Sequence, residues 1–75
     1  MRKLSNLTIA EVRTALKALG LSKERVKGGH EMWVKTGMLR PVVLQSHIEP
    51  VPEFIVKNII RTIGVTKETF LDTLN

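Results

Sequence analysis

The side chain best suited to proton transfer is the histidine at position 30, which follows two consecutive glycines in the stretch KGGHE. Histidine exchanges protons near neutral pH and can therefore act as a general acid or base. Gly28 and Gly29 carry no side chains, so another molecule can approach His30 closely, and their backbone freedom permits a sharp turn. On the residues alone, a lone histidine such as His30 is more often structural or merely exposed than chemically active.

Three cations, Lys23, Arg25 and Lys27, precede this histidine at alternate positions and are termed the basic row. Alternate side chains of a β-strand lie on the same face, so the spacing predicts that the basic row forms one line of positive charge. Such cations can hold a phosphate group and stabilise the negative charge that develops on it during a reaction.

Other kinds of chemical site have no signature in the chain. The sequence contains no cysteine, which excludes disulfides and thiolate zinc sites. No serine nucleophile motif and no phosphate-binding loop can be recognised. A second histidine, His47, lies 17 residues after His30, and a glutamate lies near each of them. This spacing is not typical of a metal site, so we expect neither a metal nor a cofactor.

The positive charge of the chain is concentrated in its first half. Residues 1–40 contain nine lysines and arginines against three acidic residues, whereas residues 41–75 contain three against four. A localised basic surface is typical of proteins that bind a polyanion, most often nucleic acid. A basic protein without such a partner has the same composition, and charge alone does not separate the two.

Length and composition predict one small globular domain over residues 1–75. Apolar residues make up 43% of the 75 residues and charged residues 25%, which is typical of a folded rather than a disordered chain. The N-terminal segment has no long apolar run and no stretch approaches the roughly 18 apolar residues of a membrane helix, so we expect neither a signal peptide nor membrane insertion. The lack of cysteine favours the reducing cytoplasm.

Capping signals and hydrophobic periodicity predict the elements that position these residues. Thr8 and Glu11 form a capping box for a helix from about Ile9 to Leu19, and Gly20 suits its end. The segments SKERVK, HEMWVK and RPVVLQ are predicted strands, the second and third joined through a turn at residues 36–37. We expect the glycines at 28–29 to break or bulge the chain between the first two strands.

Two further helices are predicted after the strands. Pro52 suits the first turn of one helix, whose apolar stripe ends before Gly64. Thr66 suits the N-cap of a short helix over about 67–74. The order α-β-β-β-α-α predicts an α+β fold with a three-stranded antiparallel sheet and helices on one face.

The sequence leaves the register of the second strand open. If Met32 and Val34 face the helices, Trp33 lies on the open face of the sheet; if Trp33 is in the core, Met32 is exposed. Core packing is the commoner role for tryptophan and is the one we expect, with base stacking as the alternative.

The stretch RVKGGHEMW resembles the strand junction around the catalytic histidine of HicA-type toxins, the mRNA-interferase partners in bacterial and archaeal HicA–HicB toxin–antitoxin pairs. The segments TIAEVRTALKALGL, RPVVLQSH and VPEFIVKNIIRTIGVTKETFLDTL are similar to the family's first helix, third strand and C-terminal part, so the resemblance extends from about Leu7 to Leu74. It implies the α-β-β-β-α fold of double-stranded-RNA-binding domains, here with a short extra C-terminal helix.

The resemblance also implies an activity and a partner. The chain would be an endoribonuclease that cleaves mRNA, with His30 as its acid or base and with a HicB-like antitoxin as its inhibitor. RNA would contact the basic row and the two glycines, namely Lys23, Arg25, Lys27, Gly28 and Gly29. Because RNA supplies its own 2′-hydroxyl nucleophile, cleavage needs proton carriers but no metal ion.

Two positions depart from the family's pattern. Many HicA-type toxins have serine or threonine where this chain has Gly29, and a second histidine where it has Glu31. The second proton carrier is left open between water, Lys27 and Glu31. Two alternatives to an RNA-cleaving enzyme also stay open, namely an RNA-binding module of the same fold and a domain whose basic face binds an acidic protein.

Overall fold

The order of helices and strands is the predicted one in the computed structural model, which describes residues 3–74. Positions 1, 2 and 75 of the expected domain 1–75 lie outside the described residues. The elements are α1 (Ile9–Ala18), β1 (Ser22–Lys27), β2 (His30–Val34), β3 (Val42–Gln45), α2 (Glu53–Ile63) and α3 (Lys67–Asp72). The fold is therefore α+β, with the predicted α-β-β-β-α-α order.

Local capping chemistry determines where α1 begins and ends. The Thr8 hydroxyl accepts a hydrogen bond from the backbone N–H of Glu11, and the Glu11 carboxylate accepts one from the N–H of Thr8. These two bonds satisfy N–H groups that have no partner within the helix. At the other end Leu19 is the C-cap, and Gly20 follows with a φ of +93°, which a residue with a side chain rarely adopts.

The three strands form one antiparallel sheet in the order β1-β2-β3. Gly28 and Gly29 are the two residues of the β1–β2 hairpin loop, with φ of +56° and +83°. Two successive positive φ values are what a tight hairpin of the primed turn type requires, and glycine provides them without steric cost. The glycines therefore close a hairpin, and the expected bulge lies elsewhere, between Lys23 and Arg25.

The two faces of the sheet differ in what covers them. Trp33, Val42 and Leu44 face the helices and are at most 2% exposed, which confirms the core position expected for Trp33. We call this side the helix face. Met32 lies on the other side, the open face, together with its pairing partners Arg25 and Val43.

The last two helices close the core. Pro52 is the N-cap of α2, and Gly64 ends that helix in the left-handed conformation with a φ of +85°. Thr66 caps α3 by accepting a hydrogen bond from the N–H of Thr69. Phe70 of α3 is fully buried in the same hydrophobic core as the helix face of the sheet. None of the helices within residues 3–74 is both long and apolar enough to cross a bilayer.

Candidate active site at two histidines

His30 is the first residue of β2 and lies on the open face of the sheet. Its Cα neighbours across the ladders are Lys27 of β1 and Gln45 of β3. Residues opposite one another in an antiparallel pair share a face, so Lys27, His30 and Gln45 form one row across the sheet. His30 is half-buried within this row, which leaves part of its imidazole accessible.

The fold brings the second histidine to the first. His47 lies in the loop after β3, and its ring centroid is 6.1 Å from that of His30, with the ring planes at 76°. Their separation of 17 residues along the chain does not by itself indicate that the two histidines form a site. The only local signal that could have located His47 is its position just past the end of β3, which is the neighbouring strand of β2.

Gly29 is the reason that His47 can lie so close. A Cβ atom placed on Gly29 would lie 2.9 Å from Nδ1 of His47, which is shorter than such contacts ever are in proteins. The space of the missing side chain is therefore occupied by the imidazole of His47. Gly28, with a similar positive φ, has no atom within 4 Å of its own Cβ position.

The loop that carries His47 is held at both ends. The backbone N–H of Ser46 donates to the carbonyl of Gly29 at 2.8 Å, and the Ser46 hydroxyl donates to the same oxygen at 3.0 Å. Further on, Glu49 accepts a hydrogen bond from the N–H of Ile9 at 2.7 Å. These bonds hold the loop between the hairpin and the start of α1, while the side chain of His47 is exposed and contacts the ring of His30.

The basic row does not stay on one face. Lys23 pairs with Trp33, whereas Arg25 pairs with Met32, because the chain gains one residue at the bulge between them. Neighbouring residues of β2 point to opposite faces, so Lys23 belongs to the helix face while Arg25 and Lys27 belong to the open face. The prediction of a single line of three cations is therefore wrong: two of them lie on the face of the histidines.

Glu31 lies on the opposite side of the sheet from His30 and is 2% exposed. Its carboxylate accepts hydrogen bonds from Nε of Arg13 at 3.1 Å, from Nη2 of Arg13 and from the indole N–H of Trp33 at 3.1 Å. The bonds from Arg13 above all, together with the indole bond and the charge of Lys23, hold the pKa of Glu31 below its ordinary value of 4.5, against the effect of burial. Glu31 is therefore a charged structural group, and of the expected proton carriers it is the one that the geometry rules out.

The carboxylates that flank the histidines are both engaged elsewhere, Glu31 with Arg13 and Glu49 with the start of α1. Across residues 3–74 no three side chains of histidine, cysteine, aspartate or glutamate come together in a way that could hold a metal ion. The chemistry that the site offers is thus that of two imidazoles with Arg25 and Lys27 on the same face.

Comparisons of the chain with protein-family models, with curated proteins and with solved structures found no match.

Proposed function

We propose that this protein is a metal-independent endoribonuclease of the HicA type, a toxin that cleaves mRNA in the cytoplasm and is inhibited by a HicB-like antitoxin. The observation that carries the proposal is the meeting of His30 and His47 on the open face of the sheet, 6.1 Å apart. Cleavage of RNA by its own 2′-hydroxyl needs one group that takes a proton and one that gives a proton, on opposite sides of one phosphate.

The reaction then proceeds in one displacement. One imidazole, in its neutral form, removes the proton from the 2′-hydroxyl as this oxygen attacks the phosphorus atom. The bond from phosphorus to the 5′-oxygen of the next nucleotide breaks, and the second imidazole, in its protonated form, gives its proton to that oxygen. The products are a 2′,3′-cyclic phosphate and a 5′-hydroxyl, and the two histidines have exchanged protonation states.

Arg25 and Lys27 supply positive charge on the side where the phosphate must lie. Both are exposed, and Lys27 is the direct neighbour of His30 across the ladder. Cations near the scissile phosphate stabilise the additional negative charge of the transition state. A guanidinium and an ammonium also attract the RNA backbone without reading its bases, so these two residues contribute to affinity rather than to sequence preference.

The test of this proposal is cleavage of an end-labelled RNA by the wild-type protein and by the variants His30→Ala and His47→Ala. We expect each variant to cleave at least about 100-fold more slowly, since each removes one positioned proton carrier. Cleavage by the wild type should continue in EDTA, should leave a 2′,3′-cyclic phosphate, and should stop when the nucleotide before the cut carries a 2′-deoxyribose.

Folding and toxicity provide the controls. His30 lies on the open face, so His30→Ala should lower the free energy of unfolding by no more than about 1 kcal/mol, and growth arrest in cells that express the protein should disappear with the activity. A folded His30→Ala variant that cleaves at the wild-type rate contradicts the mechanism. A His47→Ala variant with unchanged cleavage would instead show that another group acts as the second proton carrier.

A further inference from the structure

The outer edge of β3 and the side of α2 enclose a groove of about 820 Å³ that takes no part in the proposed reaction. One wall is the strand itself with the loop that leads into it, over residues 37–43 and 45. The other wall comes from one side of α2, where Ile55, Ile59 and Ile63 lie beside Asn58, Arg61 and Thr62. Ile59 is buried, whereas Ile55 and Ile63 are partly exposed and offer an apolar surface to the side chains of a ligand.

The strand at this groove has an unpaired edge. β3 pairs only with β2 among the strands formed by residues 3–74. The backbone N–H of Ser46 donates to the carbonyl of Gly29, so Ser46 faces β2. Because hydrogen-bonded positions alternate along an antiparallel strand, the N–H and C=O groups of Leu44 and Val42 also point toward β2. The N–H and C=O of Val43 point away from the sheet, and its side chain is 42% exposed. Free groups of this kind are a template on which another extended chain can pair.

The charges at the groove have one sign. Arg40 and Arg61 line it, and no aspartate or glutamate does. Both arginines are exposed, and the whole chain carries a net charge of +5. A second copy of this protein would bring like charges together, whereas a chain with carboxylates would be attracted.

We propose that the groove binds an extended acidic segment of a partner protein, which pairs with the outer edge of β3 as a fourth strand. Its backbone would exchange hydrogen bonds with Val43, and alternate side chains of the segment would point to one side. Apolar side chains on that side would pack on the partly exposed Ile55 and Ile63, and carboxylates would reach Arg40 and Arg61. RNA suits the groove less well, because the described residues that line it include no aromatic ring on which a base can stack.

A defined peptide tests this inference independently of any RNA cleavage. The probe is an acetylated and amidated heptapeptide of alternating valine and glutamate, titrated into the ¹⁵N-labelled protein. We expect amide shifts at residues 42–45 and along the groove side of α2, and slower hydrogen exchange of the Val43 amide. The same peptide with lysine in place of glutamate should bind at least about tenfold more weakly, since it places cations against Arg40 and Arg61.

Two variants of the protein make the result specific. Arg61→Glu should weaken binding of the glutamate peptide about tenfold, whereas Lys67→Glu, the same change of charge on α3 outside the groove, should change it by less than about twofold. Val43→Pro removes the outward N–H and should abolish binding. Arg61→Glu leaves the strand unchanged and so decides the question even if the proline variant does not fold.

Three results would overturn the inference. The first is the absence of shifts, or shifts confined to the surroundings of His30. The second is protection of the Val43 amide that depends on protein concentration and accompanies a dimer in sedimentation, which would assign the edge to a second copy. The third is displacement of the peptide from the groove by a single-stranded oligonucleotide that shifts Arg40 and Arg61, which would assign the groove to nucleic acid.

Discussion

At the scale of single residues, Gly29 decides whether the two histidines can meet. It has a positive φ as part of the hairpin, and its missing side chain is the place that the His47 ring occupies. The histidine pair and the tight turn therefore depend on the same residue. Gly28 also has a positive φ in the hairpin, but no atom lies within 4 Å of its Cβ position, which makes it a matched control.

We expect Gly29→Ala to reduce RNA cleavage far more than Gly28→Ala. Both substitutions place a side chain at a positive φ and should destabilise the fold similarly, by about 1 kcal/mol. Only the alanine at position 29 meets His47, at 2.9 Å, and must displace its ring. Cleavage rates of the two variants at equal folded fraction measure the difference, which should be at least about tenfold because a shift of the order of 1 Å in a catalytic group has such effects. Equal rates would show that the position of His47 is not needed.

Proton transfer by two histidines also predicts how cleavage depends on pH. One imidazole must be neutral and the other protonated at the same time, so the rate should pass through a maximum and decrease on both sides. The measurement is kcat/KM for a short RNA as a function of pH. In the His47→Ala variant one limb of the profile should be lost, and a variant that keeps both limbs would contradict the assignment.

Glu31 has a structural duty that makes stability depend on acid pH. Its pKa is lowered in the folded protein, chiefly by the hydrogen bonds from Arg13, and returns to its ordinary value of 4.5 on unfolding. Below pH 4.5 the unfolded chain therefore binds more protons than the folded one. The contribution of Glu31 to the free energy of unfolding is fully present above pH 4.5 and is lost as the pH falls through the pKa of the folded state.

Replacing this carboxylate should remove that dependence. Glu31→Gln keeps an oxygen that can accept from the Trp33 indole but loses the charge opposite Arg13, whose side chain is 38% exposed and can be rehydrated. We expect a loss of about 1–2 kcal/mol in the free energy of unfolding at pH 7, and a smaller loss near pH 3. Urea unfolding of both proteins at the two pH values measures this. Glu24→Gln, on the exposed strand β1, is the control, and a loss that is equal at both pH values would contradict the explanation.

At the scale of elements, the bulge in β1 decides which cations lie on the open face with His30. Without it, the alternation of Lys23, Arg25 and Lys27 would place all three on the open face. The extra residue at the bulge moves Lys23 to the side of Trp33, where its charge contributes to the low pKa of Glu31. Arg25 and Lys27 therefore lie on the face of the proposed reaction, whereas Lys23 lies on the side of the ion pair between Arg13 and Glu31.

The salt dependence of RNA binding should reveal this division. With a 2′-O-methyl RNA that cannot be cleaved, Arg25→Ala and Lys27→Ala should each flatten the plot of log K against log salt by about 0.7, the value for one phosphate contact on a single strand. Lys23→Ala should flatten it less. If all three variants change the slope equally, the RNA lies along the outer edge of β1 and not across the open face.

At the scale of the whole molecule, the positive charge of residues 1–40 predicts how an inhibitor would recognise this protein. An antitoxin that blocks RNA cleavage must cover the two histidines, and Arg25 and Lys27 beside them favour an acidic surface. In a complex with the proposed antitoxin, we expect His30 and His47 to be protected from modification by diethylpyrocarbonate. A tight complex in which both histidines react as fast as in the free protein would show that inhibition does not work by covering the site.

Local interactions explain which parts of the fold could be predicted. Helix ends depend on interactions between residues that are only three or four positions apart, and such short spacings can be recognised in a sequence. This applies to the capping box of α1, to the glycines that end α1 and α2 and to the threonine that begins α3. Residue type and the family resemblance indicate His30 and its two glycines as a candidate site, and in the structure the glycines form the hairpin loop while His30 is partly accessible on the open face.

The remaining features depend on contacts between distant parts of the chain. The alternation of HEMWV fits either face of a sheet, and only packing of Trp33 and Glu31 against the core and Arg13 selects one. A bulge adds one residue to a strand without a distinctive sequence, so the division of the basic row could not be predicted. His47 contacts His30, 17 residues away, because β3 pairs with β2 and because the missing side chain of Gly29 leaves space for the imidazole ring. Both the pairing of the strands and the space beside Gly29 exist only in the tertiary structure.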